Sequence, residues 1–360
     1  MIGGFLGAGK TTAVIRFAQF LKDRGQSVGL ITNDQSFGLV DTALVRSQGF
    51  AVEEITGGCF CCRFNSLVEA ADKLSAQSRP GVFIAEPVGS CTDLRAAVSY
   101  PLRRMYGDEF EIAPLSVLVD PVRAMRVLGL ESGRSFSEKV LYVYDRQLAE
   151  ADLIVINKGD LLDAERLAVL REALQQRYPQ AAVLNVSARR GDGLEDWFER
   201  VVEGVMATGT APDVDYEIYA EGEALLGWMN ATVRLSARNL FDGNQLLQQL
   251  ATCIASMVGG EIAHLKMTLA PDSAVGDIGV LNLVGNQSKA EHAHTLKELL
   301  DSGELIVNLR AEDDPEKLRA AAQGAFREWA SAELGRTAQL DHIESFRPAK
   351  PQPTYRLATI

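Results

Sequence analysis

The sequence predicts an α/β protein: a doubly wound, mostly parallel sheet followed by a smaller α+β module of ferredoxin-like character. Three observations carry that prediction. Short apolar runs recur and each ends in a polar residue: VGLIT before Asn33 and Asp34, GVFIA before Glu86, LSVLV before Asp120, LIVI before Asn157, and AVLNV before Ser187. Helical stretches such as residues 161–178 separate them, which is the pattern of buried parallel strands joined by crossover helices. Beyond residue 227 apolar residues alternate instead, as in WMNATVRL, which reads as strands with one covered face.

The first element is announced by MIGGFLGAGKTTAVIRFAQFL, in which Gly4, Gly9, Lys10 and Thr11 fit G-x-x-x-x-G-K-S/T. The following VIRFAQFLKDRG has helical apolar spacing and a Gly stop. A strand, a glycine-rich turn and a helix in this order make a phosphate-binding loop, so the sheet is that of a P-loop NTPase. Gly4, Gly7, Ala8 and Gly9 turn backbone N–H groups toward phosphate, and the helix N-terminus adds its partial positive charge. Lys10 reaches the β- and γ-phosphates and Thr11 offers a hydroxyl to Mg²⁺, with Thr12 in the same nucleotide-binding set. Only Met1 and Ile2 precede the loop, so the first strand is either shortened or begins upstream.

Ligands of such sheets sit at the carboxyl ends of strands, so the polar residues that end the apolar runs converge beside the loop. Glu86, in E-P-V-G, is placed to hold Mg²⁺ directly or through water, together with Thr11 and Asp34, and the catalytic set is Lys10, Thr11 and Glu86. Asn157, Lys158 and Asp160 form N-K-x-D: the carboxylate accepts from guanine N1 and N2, the Asn meets the purine edge, and the Lys stem packs on the ring. Adenine offers no such donor pair, so GTP is expected, with ATP the alternative. Ser187 and Ala188 place a backbone N–H near guanine O6. No water-orienting Gln follows Glu86, which implies slow intrinsic hydrolysis and leaves a partner or homodimer contact to complete the site.

Between the second strand and Glu86 lies EITGGCFCCRF, which holds three of the five cysteines in 360 residues. Cys61 and Cys62 are adjacent, a poor geometry for an unstrained disulfide. Gly57 and Gly58 supply a turn that gathers Cys59, Cys61 and Cys62 around one borderline or soft divalent ion. Three protein ligands leave a fourth position open, which suits a metal that is passed on, and Arg63 is expected to lower the thiol pKa values. The alternatives are small buried core cysteines or a redox-active thiol pair.

Taken in order, GGFLGAGKTT, ND, GGCFCC, EPVG and QLAEADLIVINKGD resemble the CobW-like branch of the CobW/HypB/UreG family of metal-handling GTPases, over roughly residues 1–205. The resemblance implies a GTP-driven metallochaperone or metal insertase, with C-x-C-C holding Zn²⁺ or Co²⁺ and a client metalloprotein as partner. Asp34 stands at the family's first acidic position, Phe37 replaces the second, and Asp41 matches a later Asp. The loss at Phe37 puts in doubt a secondary metal site using that carboxylate. The His-rich tract of many relatives is missing from a chain with four histidines. Because the cysteines lie between two nucleotide motifs, γ-phosphate and Mg²⁺ are expected to order the Asp34–Cys62 segment and change its metal affinity.

Composition limits the alternatives. With 47% apolar and 23% charged residues the chain is too apolar to be disordered, and its net charge of −12 argues against a nucleic-acid partner. No apolar run reaches the roughly 18 residues of a membrane span. The N-terminus lacks signal-peptide architecture, and the expected location is the cytoplasm, where thiols stay reduced.

The organisation expected is a GTPase domain over 1–206, a linker over 207–226, an α+β domain over 227–335 and a tail over 336–360 containing FRPAKPQPTYR. The second domain carries no catalytic constellation, and His292 and His294 in EHAH read as a solvated or structural pair rather than ligands. Two other functions compete: a nucleotide-gated regulatory or assembly GTPase with structural cysteines, and a small-molecule kinase, which N-K-x-D disfavours. A link to cobalamin synthesis rests on family association alone.

Overall fold

A computed structural model describes residues 1–34, 49–273 and 277–360, with the side chain of Asp34 also outside the description. The chain divides into two compact units: residues 1–133, 137–222 and 349–360 form the first, and 134–136 with 223–348 the second.

In the first unit, β1 (Ile2–Gly4), β5 (Ser116–Val119), β6 (Leu153–Ile156) and β7 (Ala182–Asn185) pair in parallel in that order. A second parallel group has β2 (Val28–Asp34) between β3 (Ala51–Thr56) and β4 (Val82–Glu86), and β4 lies beside β1. The five apolar runs are therefore strands. β3 has no apolar run to announce it: AVEEIT is mostly half-buried and, among the described residues, an edge strand paired to β2 alone, where Glu53 and Glu54 are tolerated.

Around the sheet run α1 (Lys10–Asp23), α2 (Phe64–Ser78), α3 (Tyr100–Tyr106), α4 (Pro121–Val127), α5 (Glu138–Ala149), α6 (Ala164–Arg177) and α7 (Leu194–Glu203). α1 buries Ala13, Val14, Phe17 and Leu21, the i, i+4 stripe that its sequence spacing predicts, and Gly25 follows its end at φ 77°. These side chains share a core with Leu30, Leu118 and Trp197. Tyr216–Leu225, inside the segment expected to be a linker, is a helix, α8.

Among the described residues, the second unit is built on one antiparallel sheet with two helices packed on it. Its elements are β8 (Gly227–Phe241), α9 (Gly243–Met257), β9 (Ile262–Pro271), β10 (Gly279–Leu283), β11 (Glu291–His294), β12 (Leu300–Ala311), α10 (Pro315–Trp329) and β13 (Arg336–Phe346). The spatial order is β11-β10-β9-β12-β8-β13. With the edge hairpin β10–β11 set aside, the path β8-α9-β9-β12-α10-β13 and its order are those of a ferredoxin-like βαββαβ unit. Asp242 and Asp314 cap the two helices by accepting from Asn244 N–H and Glu316 N–H, both at their N-termini. β13 lies within the stretch that the sequence reading assigns to a tail. Its alternation is masked because most of RTAQLDHIESF stays exposed or half-exposed at a sheet edge. His292 and His294 are on β11, and burial lowers the His292 pKa, so a neutral ring is favoured there.

Candidate nucleotide and metal site

The turn between β1 and α1 is built on glycines that have no substitute. Gly4, Gly7 and Gly9 have φ values of 131°, 78° and 87°. A Cβ on Gly4 would stand 2.3 Å from the Leu118 carbonyl oxygen, and one on Gly9 2.5 Å from Asn157 Nδ2. Lys10 folds back over this turn, its Nζ donating to the Gly4 carbonyl at 2.9 Å. It is a buried ammonium held by loop carbonyls, positioned where an anion in the loop would recruit it.

Thr11 Oγ1 donates to Glu86 Oε1 at 2.9 Å, which brings the start of α1 to the end of β4. A hydroxyl and a carboxylate at this distance are hard oxygen donors of the kind that suit Mg²⁺. Asp34, the third expected magnesium ligand, ends β2, while its side chain lies outside the described residues, as do Phe37 and Asp41.

The N-K-x-D residues reach the same turn from β6. Asn157 Nδ2 donates to the Ala8 carbonyl at 2.8 Å, and its Oδ1 accepts from Ala188 N–H at 3.0 Å. Lys158, at φ 56°, donates to the Gly7 carbonyl and to Asp120 Oδ2, both at 2.8 Å. Asp160 is met by Arg190 Nε at 3.6 Å, and Ser187 is buried beside them. Gly7, Ala8, Gly9, Asn157, Lys158 and Ala188 thus form one contiguous set, with Asp160 and Ser187 next to them in the chain, and Thr12 is exposed on the first turn of α1. The role of Asp120 is more than a strand end. Burial opposes its ionisation, but Lys158 and Arg123 outweigh that and hold its pKa below the ordinary carboxylate value. Arg123 in turn donates to the Leu6 carbonyl, so Asp120 sits in a network that ties loop, β5 and β6 together.

β3 runs directly into the cysteines. Gly57 and Gly58, at φ 74° and 153°, make the turn, and Cys62 N–H and Arg63 N–H donate to the Cys59 carbonyl at 3.1 and 2.9 Å. Cys59–Cys62 is therefore a helical turn leading into the N-terminus of α2. The Cys59, Cys61 and Cys62 sulfurs all lie within 4.8 Å of one another, the one such grouping of potential metal ligands among the described residues. Cys59 Sγ is 2.7 Å from Cys61 Sγ and 3.2 Å from Cys62 Sγ. Three sulfurs converging within one turn suit a thiophilic divalent ion.

Arg63 does not do what its position suggests. Its guanidinium folds back on the Gly57 carbonyl at 3.2 Å. Hydrogen bonding to Cys59 and Cys62, with burial, pushes Cys61 well above the ordinary thiol pKa, and hydrogen bonding to Cys59 pushes Cys62 up to about 11.

Two features escape the sequence patterns. Asn33, at the end of β2, donates to the Ile55 carbonyl at 3.0 Å and to the Gly58 carbonyl at 2.7 Å, clamping the residue before Cys59. The C-terminal stretch lies along the cysteine turn: Gln352 N–H donates to Cys62 Sγ at 3.1 Å and Thr354 N–H to the Cys61 carbonyl at 2.8 Å. Tyr355 meets Phe64 edge-on and Arg356 pairs with buried Asp93 at 2.8 Å. No spacing rule joins residues this far apart in the chain.

The sequence model of the CobW/HypB/UreG nucleotide-binding domain matches residues 1–185, just over half of the 360 residues. The chain belongs to the CobW/HypB/UreG family. Among curated relatives, the zinc chaperone CobW of Sinorhizobium is 29% identical over 216 residues, covering 53% of this chain and 59% of its own length. The zinc chaperone YeiR of Escherichia coli is 28% identical over 199 residues, covering 54% and 56%. The chain thus matches little more than half the length of these CobW/HypB/UreG relatives. Among solved structures, HypB from Helicobacter pylori in complex with nickel is 20% identical over 56% of this chain and 84% of its own, with a TM-score of 0.40.

Proposed function

We propose that this chain binds and hydrolyses GTP and uses the cycle to carry a divalent transition metal, zinc first and cobalt second, on Cys59, Cys61 and Cys62 for delivery to a client protein in the cytoplasm. The observation that carries the reading is the cysteine turn itself: three sulfurs within 4.8 Å, on the segment between β3 and α2 that Asn33 clamps to the end of β2. The relatives named zinc chaperones support the choice of zinc.

In this reading the glycine turn and Lys10 hold the phosphates, and Asp160 selects guanine through its N1 and N2 donors. Thr11, Glu86 and Asp34 hold Mg²⁺, which when bound neutralises charge developing on the phosphates. Asn33 links β2 to Gly58, so a change at the Asp34 end of the strand is felt one residue before Cys59. Zinc is cargo, and its affinity changes with nucleotide only if the two nucleotide states present the thiols differently.

The test is competitive zinc titration of the nucleotide-free, GTP-analogue and GDP forms, beside a Cys59/Cys61/Cys62 triple Ser variant. Tight binding that differs between nucleotide states and vanishes in the variant is the expected result. Equal affinity in all three states removes the gating, and binding that survives in the variant removes the site.

One observation favours a second reading, a regulatory GTPase with structural cysteines: Cys59 and Cys61 are both buried. GTP turnover insensitive to zinc in the wild type and unchanged in the triple variant would support that alternative.

A further inference from the structure

Cys91 stands five residues after Glu86, outside the C-x-C-C motif, yet its sulfur lies 3.9 Å from that of Cys61. Four thiolates at zinc, with Zn–S of about 2.3 Å, stand about 3.8 Å apart along each tetrahedron edge. The Cys61–Cys91 separation matches that edge, as does the Cys61–Cys62 separation of 3.7 Å. The separations from Cys59 to Cys61 and Cys62, 2.7 and 3.2 Å, are shorter than that edge and must lengthen around an ion, and Cys91, outside the mutual 4.8 Å grouping of the other three sulfurs, must close on it.

We propose that Cys91 is a fourth thiolate ligand of the metal site, supplied by the loop that follows β4. The inference rests on the metal-carrier reading and alters it: the fourth position, expected from the motif to be open, is filled from the nucleotide side.

The loop is built for that placement. Gly89 lies against the phosphate-loop lysine, since a Cβ there would be 3.0 Å from Lys10 Nζ and 2.8 Å from the Leu6 side chain. Gln147, buried on α5, donates from Nε2 to the Gly89 carbonyl at 2.9 Å and the Cys91 carbonyl at 2.8 Å, locking the two residues into one unit. Thr92 N–H donates to the Tyr219 hydroxyl at 3.2 Å, fixing the far side of Cys91. Cys61 itself accepts at its carbonyl oxygen from Thr354 N–H at 2.8 Å. A rigid stretch thus runs from Glu86 past Lys10 to a sulfur beside Cys61, and displacement of the loop at the phosphate end moves the fourth ligand. On binding, four thiols release four protons to solvent and the zinc–tetrathiolate unit carries a net charge of −2, whereas three release three. No oxidation is involved.

Zinc K-edge X-ray absorption of the 360-residue chain, loaded with one equivalent of zinc under a phosphine reductant, counts the sulfurs directly in the nucleotide-free, GTP-analogue and GDP forms. Four sulfurs in at least one form, falling to three in the Cys91→Ser variant, is expected. In the Co²⁺-substituted protein the same variant loses one thiolate's share of the ligand-to-metal charge-transfer band. Three sulfurs in every wild-type form overturns the proposal whether or not the variant folds, and so does a count that Cys91→Ser leaves unchanged. The Cys59/Cys61/Cys62 triple Ser variant separates the two readings. If it loses zinc while the wild type shows three sulfurs, only the role of Cys91 fails; if it keeps zinc at wild-type affinity, the carrier reading fails with it.

Discussion

The Thr11 hydroxyl donates to the Glu86 carboxylate across 2.9 Å, joining the first turn of the phosphate-loop helix to the end of the fourth strand. Replacing Glu86 with Gln keeps an oxygen acceptor and removes the charge. The expected outcome is a fall in single-turnover GTP hydrolysis of about a hundredfold with nucleotide affinity changed much less, because the charge acts mainly through the cation in the transition state. Single-turnover rates against Mg²⁺ concentration check it; an unchanged rate removes Glu86 from the metal shell.

Asp160 tests the choice of base. In the proposed reading its carboxylate accepts from guanine; Asn in its place offers an N–H donor there, so GTP affinity should drop by about a hundredfold while XTP, which bears an oxygen at C2, gains. Competition between the two nucleotides on wild type and Asp160→Asn reads the exchange directly.

Zinc affinity should rise with pH. Hydrogen bonding to Cys59 and burial keep Cys61 protonated at neutral pH, and the same hydrogen bonding pushes Cys62 up to about 11. Each proton released on binding adds about a tenfold gain in apparent affinity per pH unit until its thiol ionises unaided. Chelator competition at three pH values between 6 and 9 should give a steep positive slope; a flat profile would mean that thiolates are already present.

Gln352 lies between Pro351 and Pro353, and its N–H is the donor to Cys62 Sγ. Gln352→Pro deletes that donor in a stretch already suited to an extended backbone. Transfer of zinc to a chelator should accelerate by about fivefold, the value of one such hydrogen bond, with the melting temperature little changed. Equal transfer rates would make the strand over the cysteines packing only.

Buried Glu150 accepts from Arg95 N–H at 2.8 Å and Thr92 Oγ1 at 3.2 Å, and burial pushes its pKa up to about 8 from an ordinary 4.5, with Asp93 adding to the rise. Below about pH 4.5 both folded and unfolded chains hold the proton and its contribution is complete. Between 4.5 and 8 only the folded chain holds it, so stability falls by up to about 1.4 kcal/mol per pH unit as pH rises. Urea denaturation of Glu150→Gln should lose that slope, while wild type keeps it.

The local chemistry of this protein was legible in one dimension wherever the code is local. Gly4, Gly9, Lys10 and Thr11 lie within one turn, Asn157 to Asp160 within another, and five strands were visible because a parallel strand buried on both faces must be apolar along its whole length. Cys59, Cys61 and Cys62 were legible for the same reason, since one helical turn brings residues at that spacing together. β3, α8 and β13 were not, because edge strands and half-exposed helices carry mixed polarity. Nor were the approach of Cys91 to Cys61, the clamp from Asn33 to Gly58, or the run of Gln352 and Thr354 along the cysteine turn. Those contacts join segments separated by 25 to about 290 residues, and their geometry follows from how strands and helices pack, which no short-range periodicity encodes.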